Sequence, residues 1–253
     1  MKFITDNRER WITGLALLVV TLTVGYIDNK FLMWLFLGTF YLVGFNEAVK
    51  LFEVTRKSPY IYAVVIWILA YFTPNPDDLF FLIALFFASK LAYTKEHEKK
   101  KLILPFLYPT IGFLFMFMLY DGYGVKWLIW LLIIVAFTDV GAFFVGKSIG
   151  KTKFSPTSPN KTLEGVVGGV VVATITGTMF AYYMDMDTLP TSFMVSLVTA
   201  ISSIFGDLFE SYLKREAGVK DSGTILPGHG GVLDRVDGYL FGAVIMLIIL
   251  RAI

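Results

Sequence analysis

Nine apolar runs divide this chain from end to end, at roughly 11–26, 31–45, 60–72, 79–88, 102–120, 125–145, 163–183, 190–205 and 232–253. Runs of this kind, separated by short polar connections, fit lipid far better than water. In lipid the backbone must satisfy its own hydrogen bonds, so each run is expected to be a helix. A straight crossing takes about 20 residues, so several runs must borrow flanking residues. Hydrophobic residues make up 56% of the chain, against roughly 45–50% in a soluble domain. The excess is concentrated in stretches such as Trp127–Phe137 and Tyr239–Leu250. The expected fold is all-α, a polytopic membrane protein of about nine transmembrane helices.

Charge gives that count an orientation. With the N-terminus in the cytoplasm and the C-terminus outside, the inner loops collect 19 of the 22 basic residues, leaving only Lys30, Lys126 and Arg251 outside. The outer connections 73–78 and 185–188 carry acids and no base. This asymmetry is what the positive-inside rule expects. The charged opening Met1–Arg10 runs into the first apolar stretch with no small-residue cleavage site, which reads as a retained span. The basic cluster Tyr93–Lys101, with His97, reads as a solvated inner loop able to attract anionic headgroups at about 1 kcal/mol per basic residue. The net charge of +2 gives nucleic-acid binding no support, and the absence of cysteine excludes disulfides and thiolate metal sites.

The chain divides by character into residues 1–120, which are packing helices, and 121–253, where polar residues gather at inner helix ends. Ser203, Asp207, Ser211 and Lys214 fall four, four and three residues apart, with Glu210 beside them. At helical periodicity they share one face. Carboxylates, hydroxyls and an ammonium on one stripe can hold a cation and a phosphate together. The plainer alternative is a solvated helix end with an i,i+4 ion pair.

Downstream, Pro227-Gly228 and Gly230-Gly231 mark tight turns around His229. Glycines there let backbone N–H groups approach an anion. Asp234 and Asp237, with Arg235 between them, then share a helical face where the chain re-enters the membrane. A carboxylate at that depth needs a partner or a task, and an interfacial salt-bridge cluster would also meet the need. Asp139 sits deep within the sixth run, where a charge costs about 2.5–3.5 kcal/mol or more, and this points to a functional or networked role. In Ser158-Pro159-Asn160-Lys161, Ser158 suits a helix N-cap and Pro159 the first helical position. Such a start would offer free N–H groups, with Lys161 alongside, to a phosphate or carboxylate. Gly165, Gly169, Ala173, Gly177 and Ala181 recur every four residues, and Gly238 and Gly242 do the same. These are packing surfaces, within one subunit or between two.

Taken together, Ser211-Tyr212-Leu213-Lys214-Arg215, Lys220-Asp221-Ser222-Gly223 and the continuous stretch Leu226–Asp237 resemble the signature of bacterial phosphatidate cytidylyltransferases, the CDP-diacylglycerol synthases. The match spans 27 residues with many fixed polar identities. The segments around Asp139, Ser158–Gly165 and Gly206–Ser211 are also similar to that family. Residues 1 to about 120 agree with it only in hydropathy and span count. The resemblance implies a multi-span enzyme of the bacterial cell (inner) membrane, often a homodimer, with an open cytoplasmic funnel that uses Mg2+ and a second cation. The implied reaction joins CTP to phosphatidic acid and gives CDP-diacylglycerol and pyrophosphate, a step of phospholipid biosynthesis.

In that chemistry the lipid phosphate is itself the nucleophile, so the protein's task is positioning and charge neutralisation. Asp207 and Asp234 are the expected principal metal ligands, because carboxylate oxygens suit Mg2+. Asp139, Glu210, Asp221 and Asp237 are candidates for supporting positions or a second cation. Lys161, Lys214, Arg215, Lys220 and Arg235 are expected on phosphates, and Ser158, Asn160 and Ser211 can add hydrogen bonds. His229 is either a phosphate donor or a turn residue oriented by its glycines.

Three rivals stand beside this reading. A CDP-alcohol phosphotransferase would need Ala-Arg and two further aspartates after Asp237-Gly238, and no aspartate follows. A CTP-dependent lipid kinase would release CDP instead of pyrophosphate. A transporter of an anionic solute would also explain intramembrane charge, but the polar residues cluster at one face and no inverted repeat is visible.

Overall fold

The computed structural model describes residues 8–94 and 101–253. Lys2 and the loop residues Lys95, His97, Lys99 and Lys100 lie outside the described residues, as do the side chains of Arg8 and Arg10. Each apolar run is a helix: α1 (Arg8–Ile27), α2 (Lys30–Leu51), α3 (Ser58–Phe72), α4 (Leu79–Thr94), α5 (Ile111–Tyr123), α6 (Val125–Ile149), α7 (Leu163–Tyr183), α8 (Leu189–Glu216) and α9 (Leu233–Ala252). A short 3-10 turn, Pro76–Asp78, precedes α4, and an irregular segment, Phe106–Thr110, leads into α5. Among the described residues the only β-type pairings are two isolated bridges.

Among the described residues five helices are long and apolar enough to cross a membrane: Lys30–Leu51, Val125–Ile149, Leu163–Tyr183, Leu189–Glu216 and the stretch Lys101–Tyr123 that contains α5. Helix α3 has 15 residues and α9 carries Asp234, Arg235, Asp237 and Arg251, so neither reaches the same length of uncharged sequence. Large apolar side chains face outward along α7, where Leu163, Val167, Val171, Ile175 and Met179 are all exposed. A single four-residue stripe of exposed aliphatics suits lipid, not water.

The opposite face of α7 carries the small-residue repeat, and it packs inside the subunit. Gly165 and Gly169 are buried against Gly146 and Gly141 of α6: a Cβ on Gly165 would lie 3.0 Å from the Cα of Gly146, and one on Gly141 3.0 Å from that of Gly169. Gly177 faces Ile134 of α6 and Ser196 of α8. Gly238 and Gly242 of α9 pack on Val135 and Leu131 of α6 and on Ser203 and Thr199 of α8. Helices α6 to α9 therefore form one tight unit whose backbones approach closely, as small residues allow in lipid.

The first half packs differently. Tyr41 and Phe45 of α2, Trp67 of α3, Phe106, and Phe113 and Phe117 of α5 form a buried aromatic core. The Trp34 and Trp67 indoles each donate to the other's carbonyl, at 2.8 and 3.1 Å, locking α2 to α3. This core fixes the end of α2 against the start of α9, which matters below.

Candidate functional site

Helix α8 has 28 residues, about 42 Å at the usual helical rise. That exceeds the roughly 30 Å hydrocarbon core of a bilayer, which is length enough for its last turns to reach beyond one. They carry Asp207, Glu210, Ser211 and Lys214. The expected shared face is present: Ser211 Oγ donates to Asp207 Oδ1 at 3.3 Å, and Lys214 pairs with Glu210 one turn earlier. Ser203, on the same stripe, instead donates to the Ala200 carbonyl of its own helix at 2.8 Å.

Helix α9 enters beside this face. Lys214 Nζ donates to Asp234 Oδ1 at 2.6 Å, and Glu210 and Asp234 are almost fully buried. The loop between the helices then wraps the other oxygen. Asp234 Oδ2 accepts from the Ser222 amide at 2.9 Å, the Ser222 hydroxyl at 3.0 Å and the Gly231 amide at 2.7 Å. The turn glycines make this possible. Gly228 and Gly230 have φ of 72° and 88°, a region that L side chains rarely occupy. Leu226 and Gly230 exchange backbone hydrogen bonds across the turn at 3.0 and 3.1 Å. Of the N–H groups expected to cradle an anion there, that of Gly231 is thus aimed at the protein's own carboxylate, while those of His229 and Gly230 donate to the Leu226 carbonyl. The side chain of Asp221 lies beside Gly230. Lys220 and Arg215 are exposed, and Arg215 donates to the Val219 carbonyl at 3.2 Å.

A second cluster sits against the first. Lys161 pairs with Asp207 from the loop before α7. Asp139 of α6 lies within electrostatic reach of Lys161, Asp207 and Arg235, and Asp237 within reach of Asp207, Asp139 and Lys214. Asp139, Lys147, Ser158, Asn160, Lys161 and Thr162 line a cavity of about 490 Å³. The structure therefore brings Asp139, Ser158, Asn160 and Lys161 together, with Asp207 joined to them through Lys161.

The helix start near Ser158 differs from the sequence expectation. Helix α7 begins four residues later, and its N-cap is Thr162, whose hydroxyl accepts from the Gly165 amide at 3.2 Å. Ser158 instead closes a turn, its carbonyl accepting from the Lys161 amide at 3.1 Å. The cause is a short antiparallel bridge between Lys153 and Thr162, which closes 152–163 into a hairpin-like loop. Glu164 braces it by accepting from the Lys151 amide at 3.1 Å and the Thr152 hydroxyl at 2.9 Å. The turn swings Lys161 toward α8.

His229 is held away from the carboxylates. Its carbonyl accepts from Arg235 Nε and Nη2 at 3.1 and 2.8 Å, and its ring lies near Gly14 of α1. Arg235 is thereby a brace of the turn that still leaves an exposed guanidinium.

Two groups at the site had no place in the sequence reading. Glu47, near the end of α2, is 3% exposed and accepts from the Ser222 hydroxyl at 3.0 Å and the Val232 and Leu233 amides at 2.9 and 2.8 Å. Tyr108 is buried, its hydroxyl has no hydrogen-bond partner, and it lies within reach of Asp237, Glu210, Asp207 and Asp234.

The donor set suits a hard cation. Asp139, Asp207, Glu210, Asp234 and Asp237 share one region whose close ion-pair partners are Lys161 and Lys214. Carboxylate oxygens in excess are what Mg2+-type ions bind, and the orphaned Tyr108 hydroxyl faces the same region. Among the described residues no three acidic or imidazole groups already stand in a metal-holding arrangement. In the structure an ammonium rests on each of Asp207 and Asp234.

The chain matches the model of the Cytidylyltransferase family over residues 8–253. It is similar to the phosphatidate cytidylyltransferase of Helicobacter pylori strain ATCC 700392 / 26695, 48% identical over 242 residues, covering 94% of this chain and 89% of that protein. The protein of the same name from strain J99 is 48% identical over 249 residues, covering 96% and 92%. The phosphatidate cytidylyltransferase of Bacillus subtilis (strain 168) is 48% identical over 125 residues, covering 48% of this chain and 46% of its own.

Proposed function

Because the chain belongs to the cytidylyltransferase family, we propose that it joins CTP to phosphatidic acid and yields CDP-diacylglycerol and pyrophosphate. One observation carries the assignment of this chemistry to the site. Two carboxylate–lysine pairs, Asp207–Lys161 and Asp234–Lys214, come from two helices and one loop and meet at one end of the bundle. Fixed charges of both signs around a cavity suit two anionic reactants.

In the reaction a phosphate oxygen of the lipid attacks the α-phosphorus of CTP. The new P–O bond forms as the bond to the β-phosphate breaks, and the electron pair leaves with pyrophosphate. Lys161, with Ser158 and Asn160 beside it in the cavity, is placed to bind CTP phosphates. Lys214, Arg215, Lys220 and Arg235 supply positive charge nearer the loop, and Ser211 orients Asp207. A divalent cation, in our reading Mg2+, would neutralise phosphate charge when bound. Asp207 and Asp234 would hold it, with Asp139, Glu210, Asp221 and Asp237 in support or on a second ion. There its chemistry would be electrostatic stabilisation of the leaving group.

Ion-pair geometry supports nine crossings, and the gathering of basic residues in alternate loops supports an N-terminus inside. Lys30 meets Asp121 at 2.9 Å and Arg251 meets Asp77 at 2.5 Å, pairings of outer ends. Lys101 meets Glu53 at 3.3 Å, and Lys161 meets Asp207, pairings of inner ends. An even number of helices lies between the members of each pair, which puts both on one face. The site then opens to the cytoplasm of a bacterial cell membrane. Apolar clefts of about 390 and 470 Å³ flank α9, the first carrying Arg235 and Tyr239 and the second Tyr108. Both offer acyl chains a lateral route.

The test is direct. Purified protein is incubated with CTP labelled in the cytosine ring, phosphatidic acid and Mg2+. The reading expects labelled CDP-diacylglycerol and one pyrophosphate per lipid formed, both lost when EDTA exceeds Mg2+. Release of labelled CDP with a phosphorylated lipid would instead establish a kinase.

A further inference from the structure

Glu47 is a buried carboxylate that the chemistry above leaves without a role. Its side chain comes from the half of the chain otherwise given to packing, yet its partners lie 175 to 186 residues away, in the loop that cradles Asp234. We infer that Glu47 is a positioning residue that sets the Ser222–Asp234 loop and, through it, the catalytic carboxylate.

The geometry is specific. Val232 and Leu233 are the cap and first residue of α9, so their amides have no acceptor within the helix. Glu47 takes both, one on each oxygen. A negative charge at a helix N-terminus is also favoured by the helix dipole. Glu47 therefore fixes where α9 begins, one residue before Asp234.

The same carboxylate reaches Asp234 by a second path. Ser222 Oγ lies 3.0 Å from Glu47 Oε2 and 3.0 Å from Asp234 Oδ2. One hydroxyl, with a single proton to give to either, thus lies between the two acids, while the Ser222 amide holds Asp234 from the same residue. The loop is shaped around this link: a Cβ on Gly223 would come within 2.5 Å of Glu47 Oε1, and one on Gly231 within 2.6 Å of Oε2. Two of the glycines in the stretch that resembles the family signature thereby make room for a side chain outside it. The aromatic core around Tyr41 and Phe45 holds α2 still beneath Glu47.

The test uses the full-length protein in nanodiscs and reads two things. Hydrogen exchange follows the peptides that cover 220–235, and steady-state kinetics follow kcat and KM. E47Q keeps the size of the side chain and removes one acceptor. It is expected to speed exchange in 220–235 by about 10-fold, the scale of one lost buried hydrogen bond, with the other helices exchanging as in wild type. The kinetic arm rests on the cytidylyltransferase reading and expects kcat to fall about 10-fold with KM for CTP little changed. E47D, which keeps charge and both oxygens, should recover part of the loss. S222A should give a smaller loss, and adding it to E47A should cost nothing further. Wild-type exchange and wild-type kcat in E47Q would overturn the inference, as would loosening spread evenly over all helices. If E47Q does not assemble, full turnover and full loop protection in S222A overturn it instead. A wild type that makes no CDP-diacylglycerol would defeat the assigned reaction, while the exchange arm would still decide the role of Glu47.

Discussion

Lys161, carried by the loop ahead of α7, closes an ion pair with Asp207 on α8, and this one contact ties the cavity wall to that helix. Both side chains remain about one quarter exposed. The pair is therefore worth little to stability, since screened pairs contribute about 0–1 kcal/mol. Its value is in placing an ammonium beside the cavity. K161A should lower kcat/KM for CTP by about 100- to 1000-fold, the scale of removing one charge-stabilising donor. Its thermal midpoint in detergent should stay within a few degrees of wild type. Steady-state kinetics beside a thermal melt check both halves of the statement.

Lys214 is the opposite case. Its side chain is 12% exposed between Glu210 at 0% and Asp234 at 5%. Removing the ammonium leaves two carboxylates buried without their cation, a loss of about 3–5 kcal/mol for a broken buried pair. K214A should thus yield little folded protein, and what is recovered should melt well below wild type. Size-exclusion profiles and melts, compared with K161A under the same conditions, separate the two lysines.

Close packing of α6 on α7 predicts a fold defect without a chemical one. A Cβ on Gly169 would lie 2.5 Å from the Thr138 carbonyl and 3.1 Å from the Ala142 side chain. Backbone cannot yield there as a flexible side chain would, and overpacking costs about 1–3 kcal/mol or more. G169V should lower yield and thermal stability while the surviving fraction keeps a wild-type KM for CTP. Active-site titration of purified G169V checks this by scaling turnover to folded protein.

What was legible in the sequence was whatever short-range periodicity encodes. Asp207, Ser211 and Lys214 share a face because helical spacing puts them there, and Gly228 and Gly230 signal their turn through their φ preference. The helical runs followed from hydropathy. Contacts between distant segments were not legible: nothing local to Lys161 indicates Asp207. Both Ser158 and Thr162 are good capping residues, and only the Lys153–Thr162 bridge decides between them. Glu47 was passed over because it ends an apolar run with Asn46 and so resembles a span boundary. One signal was available: Gly44, Glu47 and Leu51 stand three and four residues apart on the buried face of α2, and a carboxylate on such a face needs a partner. Tyr108 gave none, since a tyrosine in an apolar stretch is ordinary.

The proposed convergence of Asp207 and Asp234 on the reacting phosphates is tested most directly by turnover of D207N and D234N, each purified intact and assayed with CTP, phosphatidic acid and a range of Mg2+. Each substitution alone should abolish CDP-diacylglycerol formation, by about 1000-fold or more given the non-additive losses of groups that act as a unit. The double variant should be no worse. Near-normal, Mg2+-dependent turnover in both single variants would remove these two carboxylates from the chemistry.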